Sequence, residues 1–162
     1  MLFRYKLYDR WVSDIQRFAY VLKPGETEAP EDIQFYWESA KAGNRAAFNA
    51  MKPGVRGEDV DAAQRKLMEE NGSEYVMWST GHPVGYVAHD TGPNLGGSHI
   101  PGQRASAQKL LKPGMVFAFD GFHSWPLTDS TYKTISVEEM VVITEDGAEF
   151  LIPPQEEWIL VD

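Results

Sequence analysis

The spacing of apolar residues predicts two helices in the first half of the chain. The residues that recur at helical intervals between positions 30 and 51 are Ile33, Trp37, Ala40, Ala47 and Met51. Pro30 lies at the predicted start, and Pro53-Gly54 follows the predicted end. A second amphipathic stretch at 58–71 ends at Gly72, which is typical of a helix C-terminus.

Short apolar runs separated by glycine and proline predict β-strands on either side of the helices. After Gly72 these runs are 75–78, 84–88, 115–119, 137–144 and 150–152. Residues 2–21 are rich in aromatic and β-branched side chains, which indicates a strand pair with a turn at Asp9-Arg10.

The connecting segments complete an α+β arrangement of strands, helices and strands again. The segment 90–103 holds six glycines or prolines, which predicts an irregular loop. Residues 105–111 are expected to form a helical turn, and Glu145-Asp146-Gly147 a hairpin turn.

Length and charge limit the classes of function. The chain has 162 residues, 43% of them hydrophobic, which suits one domain over residues 1–162. With 24 acidic and 15 basic residues the formal net charge is −9, so nucleic acid is not an expected partner. The sequence has neither an apolar run long enough to cross a bilayer nor a signal segment. We therefore expect that the protein does not associate with a membrane and that it is cytoplasmic. With no cysteine, any metal would be held by oxygen and imidazole nitrogen.

Four groups of polar residues lie on or beside the predicted strands: Asp14, His82 with His89, Asp120 with His123, and Glu138-Glu139. A hydrolase that uses divalent ions needs several carboxylates, at least one imidazole and an open coordination position for water. Alternate side chains of a strand project from one face, so acids on neighbouring strands can converge on a metal.

The order of these motifs resembles the creatinase/aminopeptidase family, which includes methionine aminopeptidase, aminopeptidase P, prolidase and creatinase. The segments that carry the resemblance are Ser13-Asp14-Ile15-Gln16-Arg17, Lys52-Pro53-Gly54-Val55, Gly81-His82-Pro83-Val84-Gly85 with His89-Asp90, Lys112-Pro113-Gly114-Met115-Val116-Phe117, and Glu138-Glu139-Met140-Val141-Val142-Ile143-Thr144-Glu145-Asp146-Gly147. The similarity is collinear over nearly the whole chain. It implies the "pita-bread" fold, a curved antiparallel sheet with helices on one face, here without the N-terminal lobe.

The resemblance also implies a metal-dependent hydrolase of the X-Pro aminopeptidase or dipeptidase type. Asp14, His82, Asp120 and Glu138 stand at metal-ligand positions, and Asp120 replaces a glutamate that the family usually has. His89 resembles the histidine that contacts substrate and stabilises the tetrahedral intermediate. The expected cofactor is one or two divalent ions of manganese, cobalt, iron or zinc, which would activate hydroxide, and the expected substrate is a peptide or a small amide.

The N-terminal segment departs from the family pattern. A direct match puts Phe3 at the position of the first aspartate ligand, and a shorter hairpin puts Lys6 there. The acidic residue near this position is Asp9, which falls in the predicted turn. Two alternatives therefore stay open: a metal-free, creatinase-like enzyme that cleaves C–N bonds, and a pita-bread module that binds proteins without catalysis. A homodimer is also expected, because a second copy can cover the surface of the missing lobe.

Three further residues are interpreted as structural rather than catalytic. His99 is expected to be a loop residue. His123 follows Asp120 by three positions, yet the family pattern has no ligand there. Glu139 alternates with Glu138 along the predicted strand and is expected to face outward.

Overall fold

The computed structural model describes residues 2–3, 6–7, 11–102 and 104–162, with side chains described from residue 12 onward within these ranges. Its helices are α1 (Glu31–Ala50), α2 (Gly57–Glu70) and α3 (Arg104–Ala107). Its strands are β1 (Leu2–Phe3), β2 (Lys6–Leu7), β3 (Trp11–Val12), β4 (Ile15–Gln16), β5 (Ala19–Val21), β6 (Gly81–Pro83), β7 (Val116–Thr128), β8 (Thr131–Ile143), β9 (Ala148–Phe150) and β10 (Ile159–Val161).

The two long helices confirm the prediction from apolar spacing to within one residue at each end. Pro30 is the N-cap of α1, where its missing N–H costs nothing, and Glu31 and Asp32 lie in the first turn, where acids interact favourably with the helix dipole. A capping box between Arg56 and Asp59 begins α2. The predicted turn at 105–111 is helical only in the short α3.

A six-stranded sheet forms the centre of the fold, in the order β1-β4-β8-β7-β6, with β9 also paired to β8. The pairs within this sheet are antiparallel. Apart from Met115 and Thr144, the runs 115–119 and 137–144 lie in β7 and β8, each of which is 13 residues long. Both strands extend beyond their apolar cores, because polar residues such as Ser124 and Thr134 are paired in the same ladder.

Two predicted strands are wrong. The run 75–78 is not a strand, since the Arg65 guanidinium donates hydrogen bonds to the carbonyls of Val76 and Trp78 at 2.8 and 2.5 Å in place of a ladder. The run 84–88 forms a bend, and the strand lies earlier, at Gly81–Pro83. The loop over the described part of 90–103 and the hairpin turn at 145–147 are confirmed.

The N-terminal strand pair is divided into short pieces. Leu2 and Phe3 pair with Gln16 and Ile15, and β2 pairs with β3. The proposed turn at Asp9-Arg10 lies outside the described residues. Near the chain ends, β5 and β10 form a separate two-stranded parallel ribbon.

Both long helices lie on one face of the central sheet, as the fold class predicts. Ala47 and Met51 of α1 and Val60 of α2 pack with Phe117, Phe119 and other buried apolar residues of the sheet. The Asn44 amide, fully buried, donates to the carbonyls of Phe119 and Val137 at 3.0 and 3.1 Å. The helix is therefore fixed to β7 and β8 next to Asp120 and Glu138. None of the described helices has the length and apolar character required to cross a bilayer.

Gly121 sets the distance between α1 and the sheet, and substitution by alanine tests this. A Cβ at this position would lie 2.0 Å from the Ala40 carbonyl oxygen and 2.4 Å from the Asn44 nitrogen. We expect Gly121→Ala to lower the free energy of unfolding by about 1–3 kcal/mol, because backbone atoms must move to admit the methyl group. Urea denaturation measures this loss. The control Gly147→Ala, with nothing within 4 Å of the added Cβ, is expected to change stability by less than about 0.5 kcal/mol.

Candidate metal centre

The register of β7 and β8 places two acidic side chains opposite each other. Asp120 pairs with Glu138, on the sheet face away from α1. The Asp120 N–H donates to the Thr80 carbonyl at 2.7 Å, so it points away from β8 and the pair is of the non-hydrogen-bonded type. In such pairs the Cα atoms are about 4.5 Å apart and the side chains approach closely. Removal from water raises the pKa of Asp120 well above its usual value, and the charges of Glu138 and Asp14 raise it further.

Asp14 contributes a third acid from the segment between β3 and β4. It is 1% exposed, and its backbone N–H contacts the Met140 sulfur at 3.3 Å. Since β4 pairs with β8 through Gln16 and Glu138, the chain that carries Asp14 lies alongside the acid pair. A carboxylate buried in this way is stable only with a partner that compensates its charge.

Two histidines face Asp14 from the other side. His82 lies on β6, paired with Ala118 of β7, and its Nε2 is 3.8 Å from Asp14 Oδ2. His89 follows on the bend, and its Nε2 is 3.7 Å from the same oxygen. The two imidazoles stack with ring centres 3.8 Å apart. Burial and the nearby His89 lower the pKa of His82, which favours the neutral imidazole that a metal binds.

The donor set fits a divalent metal ion. Asp14, His82 and His89 each offer a ligand atom, and these atoms lie within 4.8 Å of one another. Among the described residues Asp120 and Glu138 are not part of this group, although they line the same cavity. Mixed imidazole and carboxylate donors suit manganese, iron, cobalt or zinc. A cation in the cavity would favour the ionised form of Asp120, whose pKa burial and the neighbouring acids raise.

All five residues singled out in the sequence line one cavity of about 520 Å³, which lies beside the acid pair. The sequence did not indicate the remaining lining residues, which are apolar Trp78, Ile100 and Phe122 and polar Gln16, Ser79, Asn94 and Ser136. Gln16 and Ser136 are joined by a hydrogen bond of 2.9 Å. Gln16 lies two residues after Asp14, and Ser136 lies two residues before Glu138. This spacing could have identified both as lining residues, because residues i and i+2 of a strand share a face.

The structure places the three residues interpreted as structural away from the cavity. His123 is buried against α1, where its Nδ1 bonds to Ser39 Oγ at 2.8 Å and its ring stacks on Tyr36. His99 is exposed and bonds to the Tyr75 hydroxyl at 2.9 Å.

The expectation that Glu139 faces outward is wrong. This side chain is fully buried on the face opposite Glu138, where it pairs with Arg17 at 3.0 Å and accepts a hydrogen bond from the Gln155 N–H at 2.7 Å. This pair could not be predicted from the sequence, because Arg17 and Glu139 are far apart in the chain.

Comparisons with known proteins agree with the motif order. The sequence model of metallopeptidase family M24 matches residues 4–145. Probable dipeptidase PepE of Mycobacterium tuberculosis is 32% identical over 122 residues, which cover 75% of this chain and 29% of that protein. The Xaa-Pro dipeptidase of Pyrococcus furiosus is 28% identical over 152 residues, covering 93% and 38%.

Solved structures show the same fold. The crystal structure of dipeptidase PepE from Mycobacterium ulcerans superposes with a TM-score of 0.78 at 26% identity, covering 99% of this chain and 38% of that chain. The chain therefore spans between 29% and 38% of the length of these three proteins.

The burial of His123 predicts a pH dependence of stability. Burial lowers the pKa of His123, so the unfolded chain binds a proton more readily than the folded chain. Its contribution to stability is complete above the unfolded pKa of about 6.5 and is lost as the pH falls towards the folded pKa. Compared with His123→Gln, the original chain should therefore lose up to about 1.4 kcal/mol more per pH unit below pH 6.5. Urea denaturation between pH 7 and 5 measures this difference, and parallel curves for the two proteins would contradict it.

Proposed function

The chain belongs to metallopeptidase family M24, and we propose that it is the catalytic half of a metal-dependent dipeptidase or aminopeptidase that cleaves peptides of the X-Pro type. The observation that carries this proposal is the convergence of Asp14, His82, His89, Asp120 and Glu138 on one cavity. A bound divalent ion supplies Lewis acidity and lowers the pKa of water enough to provide a nucleophile at neutral pH.

In this proposal Asp14, His82, Asp120 and Glu138 hold one or two ions. The neutral imidazole of His82 and the buried carboxylate of Asp14 are donors of the required type, at 3.8 Å from each other. Asp120 and Glu138 extend the negative charge along the cavity floor, so a second cation there would offset their repulsion. Manganese, cobalt, iron and zinc all suit this mixture of nitrogen and oxygen donors.

We propose that His89 acts on the substrate, as the resemblance implies. Its side chain is 65% exposed at the cavity, whereas His82 is mostly buried, so His89 is the imidazole that a bound peptide can reach. An imidazole N–H near the scissile carbonyl stabilises the negative charge that develops on the oxygen during attack.

The cavity walls support a small peptide as the substrate. Trp78, Ile100 and Phe122 provide an apolar surface, and the carboxylates lie in the same cavity. An apolar wall suits the proline ring of an X-Pro peptide, and the acidic floor suits its N-terminal ammonium. Relatives described as dipeptidase and Xaa-Pro dipeptidase favour the same substrate class.

The proposal also covers the oligomeric state of the protein and its location in the cell. We propose that residues 1–162 act as one domain in the cytoplasm and that two copies associate. Exposed apolar side chains favour association, including Tyr75 and Met77, each more than half exposed.

Hydrolysis of an X-Pro dipeptide tests the activity. With manganese or cobalt added, we expect turnover that a chelator abolishes and that His82→Ala lowers by about 100-fold or more, since even the loss of residues that support a ligand costs 10–100-fold. The control His99→Ala removes a histidine that lies outside the cavity and should leave turnover unchanged.

Three results would contradict this proposal. Turnover that resists the chelator would favour a metal-free enzyme acting on C–N bonds. Equal turnover by His82→Ala and His99→Ala would remove His82 from the site. Absence of both metal binding and turnover would favour a binding module.

Size-exclusion chromatography with light scattering tests the dimer. We expect a mass of twice 18.3 kDa that persists on dilution into the micromolar range, because obligate homodimer interfaces are large and apolar. A monomer at every concentration would contradict the proposed association.

A further inference from the structure

The His89 side chain is largely exposed to solvent, yet it makes defined contacts with His82 and Asp14. Its side chain is 65% exposed, yet its ring stacks on His82 at 3.8 Å with an angle of 20° between the planes. Both Nε2 atoms face the same oxygen of Asp14, at 3.7 and 3.8 Å. Two imidazoles and a carboxylate thus direct their donor atoms towards one small region.

Backbone hydrogen bonds fix the bend that carries His89. The Asp90 N–H donates to the Pro83 carbonyl at 3.0 Å, and the Val12 N–H donates to the Gly85 carbonyl at 3.3 Å. The Asp90 carboxylate accepts the N–H groups of Tyr86 and Thr91 at 3.0 and 2.7 Å. The bend is therefore joined to the strand that bears His82 and to β3, which leads to Asp14.

Gly85 makes this bend possible. A Cβ at Gly85 would lie 2.2 Å from Asp90 Oδ2, so a larger residue would displace the carboxylate that organises the turn. The backbone position of His89 is consequently set by the turn from Pro83 to Asp90 together with the hydrogen bond from Val12 to Gly85.

We propose that, in the absence of substrate, His89 is a ligand of the metal ion together with Asp14 and His82. The resemblance places Phe3, or Lys6 in a shorter hairpin, where the family has its first aspartate ligand, and neither side chain can replace that carboxylate. His89 supplies a third donor, and the three ligand atoms already lie within 4.8 Å of one another. Two imidazoles and one carboxylate are a known ligand set for first-row divalent metals, and they leave coordination positions open.

Titration with Co²⁺ in the absence of substrate tests this ligand assignment. The inference rests on the proposed function only in requiring a bound ion, and binding is measured without any turnover. We expect His89→Ala and His82→Ala each to weaken Co²⁺ binding by about 100-fold or more, because each removes a direct ligand. Both should also change the visible absorption of the bound Co²⁺. The matched control His99→Ala should bind Co²⁺ like the original chain.

Addition of imidazole separates a ligand from a residue that supports the site indirectly. In His89→Gly, added imidazole should restore the affinity for Co²⁺ and its visible spectrum, whereas it should have no effect on His99→Gly. Circular dichroism checks that the variants are folded, which the exposure of His89 favours.

Two results would overturn the assignment. One is Co²⁺ binding by His89→Ala that equals that of His99→Ala while His82→Ala has lost it. The other is a failure of imidazole to restore binding in folded His89→Gly. Either would return His89 to the substrate role alone, and loss of X-Pro hydrolysis with intact Co²⁺ binding would instead count against the proposed activity.

Discussion

The antiparallel register of β7 and β8 is the constraint on which the rest of the structure depends. It places Asp120 opposite Glu138 on one face and leaves Gly121 facing α1 on the other. A slip of one residue in one of the strands would exchange its two faces and move a carboxylate towards the helix. No side chain fits at Gly121, where the Ala40 carbonyl would be 2.0 Å from a Cβ. Close helix packing and the position of the acids are therefore fixed by the same register.

This arrangement concentrates negative charge where it is costly. Burial and the neighbouring acids raise the pKa of Asp120, which means that the folded protein disfavours its ionised form. A divalent cation reverses this balance, because it interacts favourably with every ionised carboxylate in the cavity. The feature that disfavours ionised Asp120 would therefore favour a bound cation. Perturbed carboxylates gathered in a cavity are characteristic of functional sites.

The elements that depend on local sequence pattern were predicted correctly. Those that depend on contacts between residues far apart in the chain were not. The helices α1 and α2 follow from apolar spacing and from their terminal residues, so their bounds were predicted closely. The segment 75–78 has the composition of a strand, yet Arg65 binds two of its carbonyls and none of the described strands pairs with it. Glu139 is buried because Arg17 and Gln155 reach it, and the sequence gives no sign of that contact.

For the site, the sequence by itself determined the chemistry of the donors and, through the order of the motifs, the family. Asp14, His82, Asp120 and Glu138 were selected as candidate metal ligands, and His89 as a candidate substrate contact, from their residue types and their places in the motifs. Only the tertiary structure decided that they share one cavity and that His89 approaches Asp14 as closely as His82 does. The physical reason is that distances between side chains depend on strand register and on the bend after β6. Both are fixed by hydrogen bonds between residues far apart in the chain, such as Val12 with Gly85 and Asp120 with Thr80.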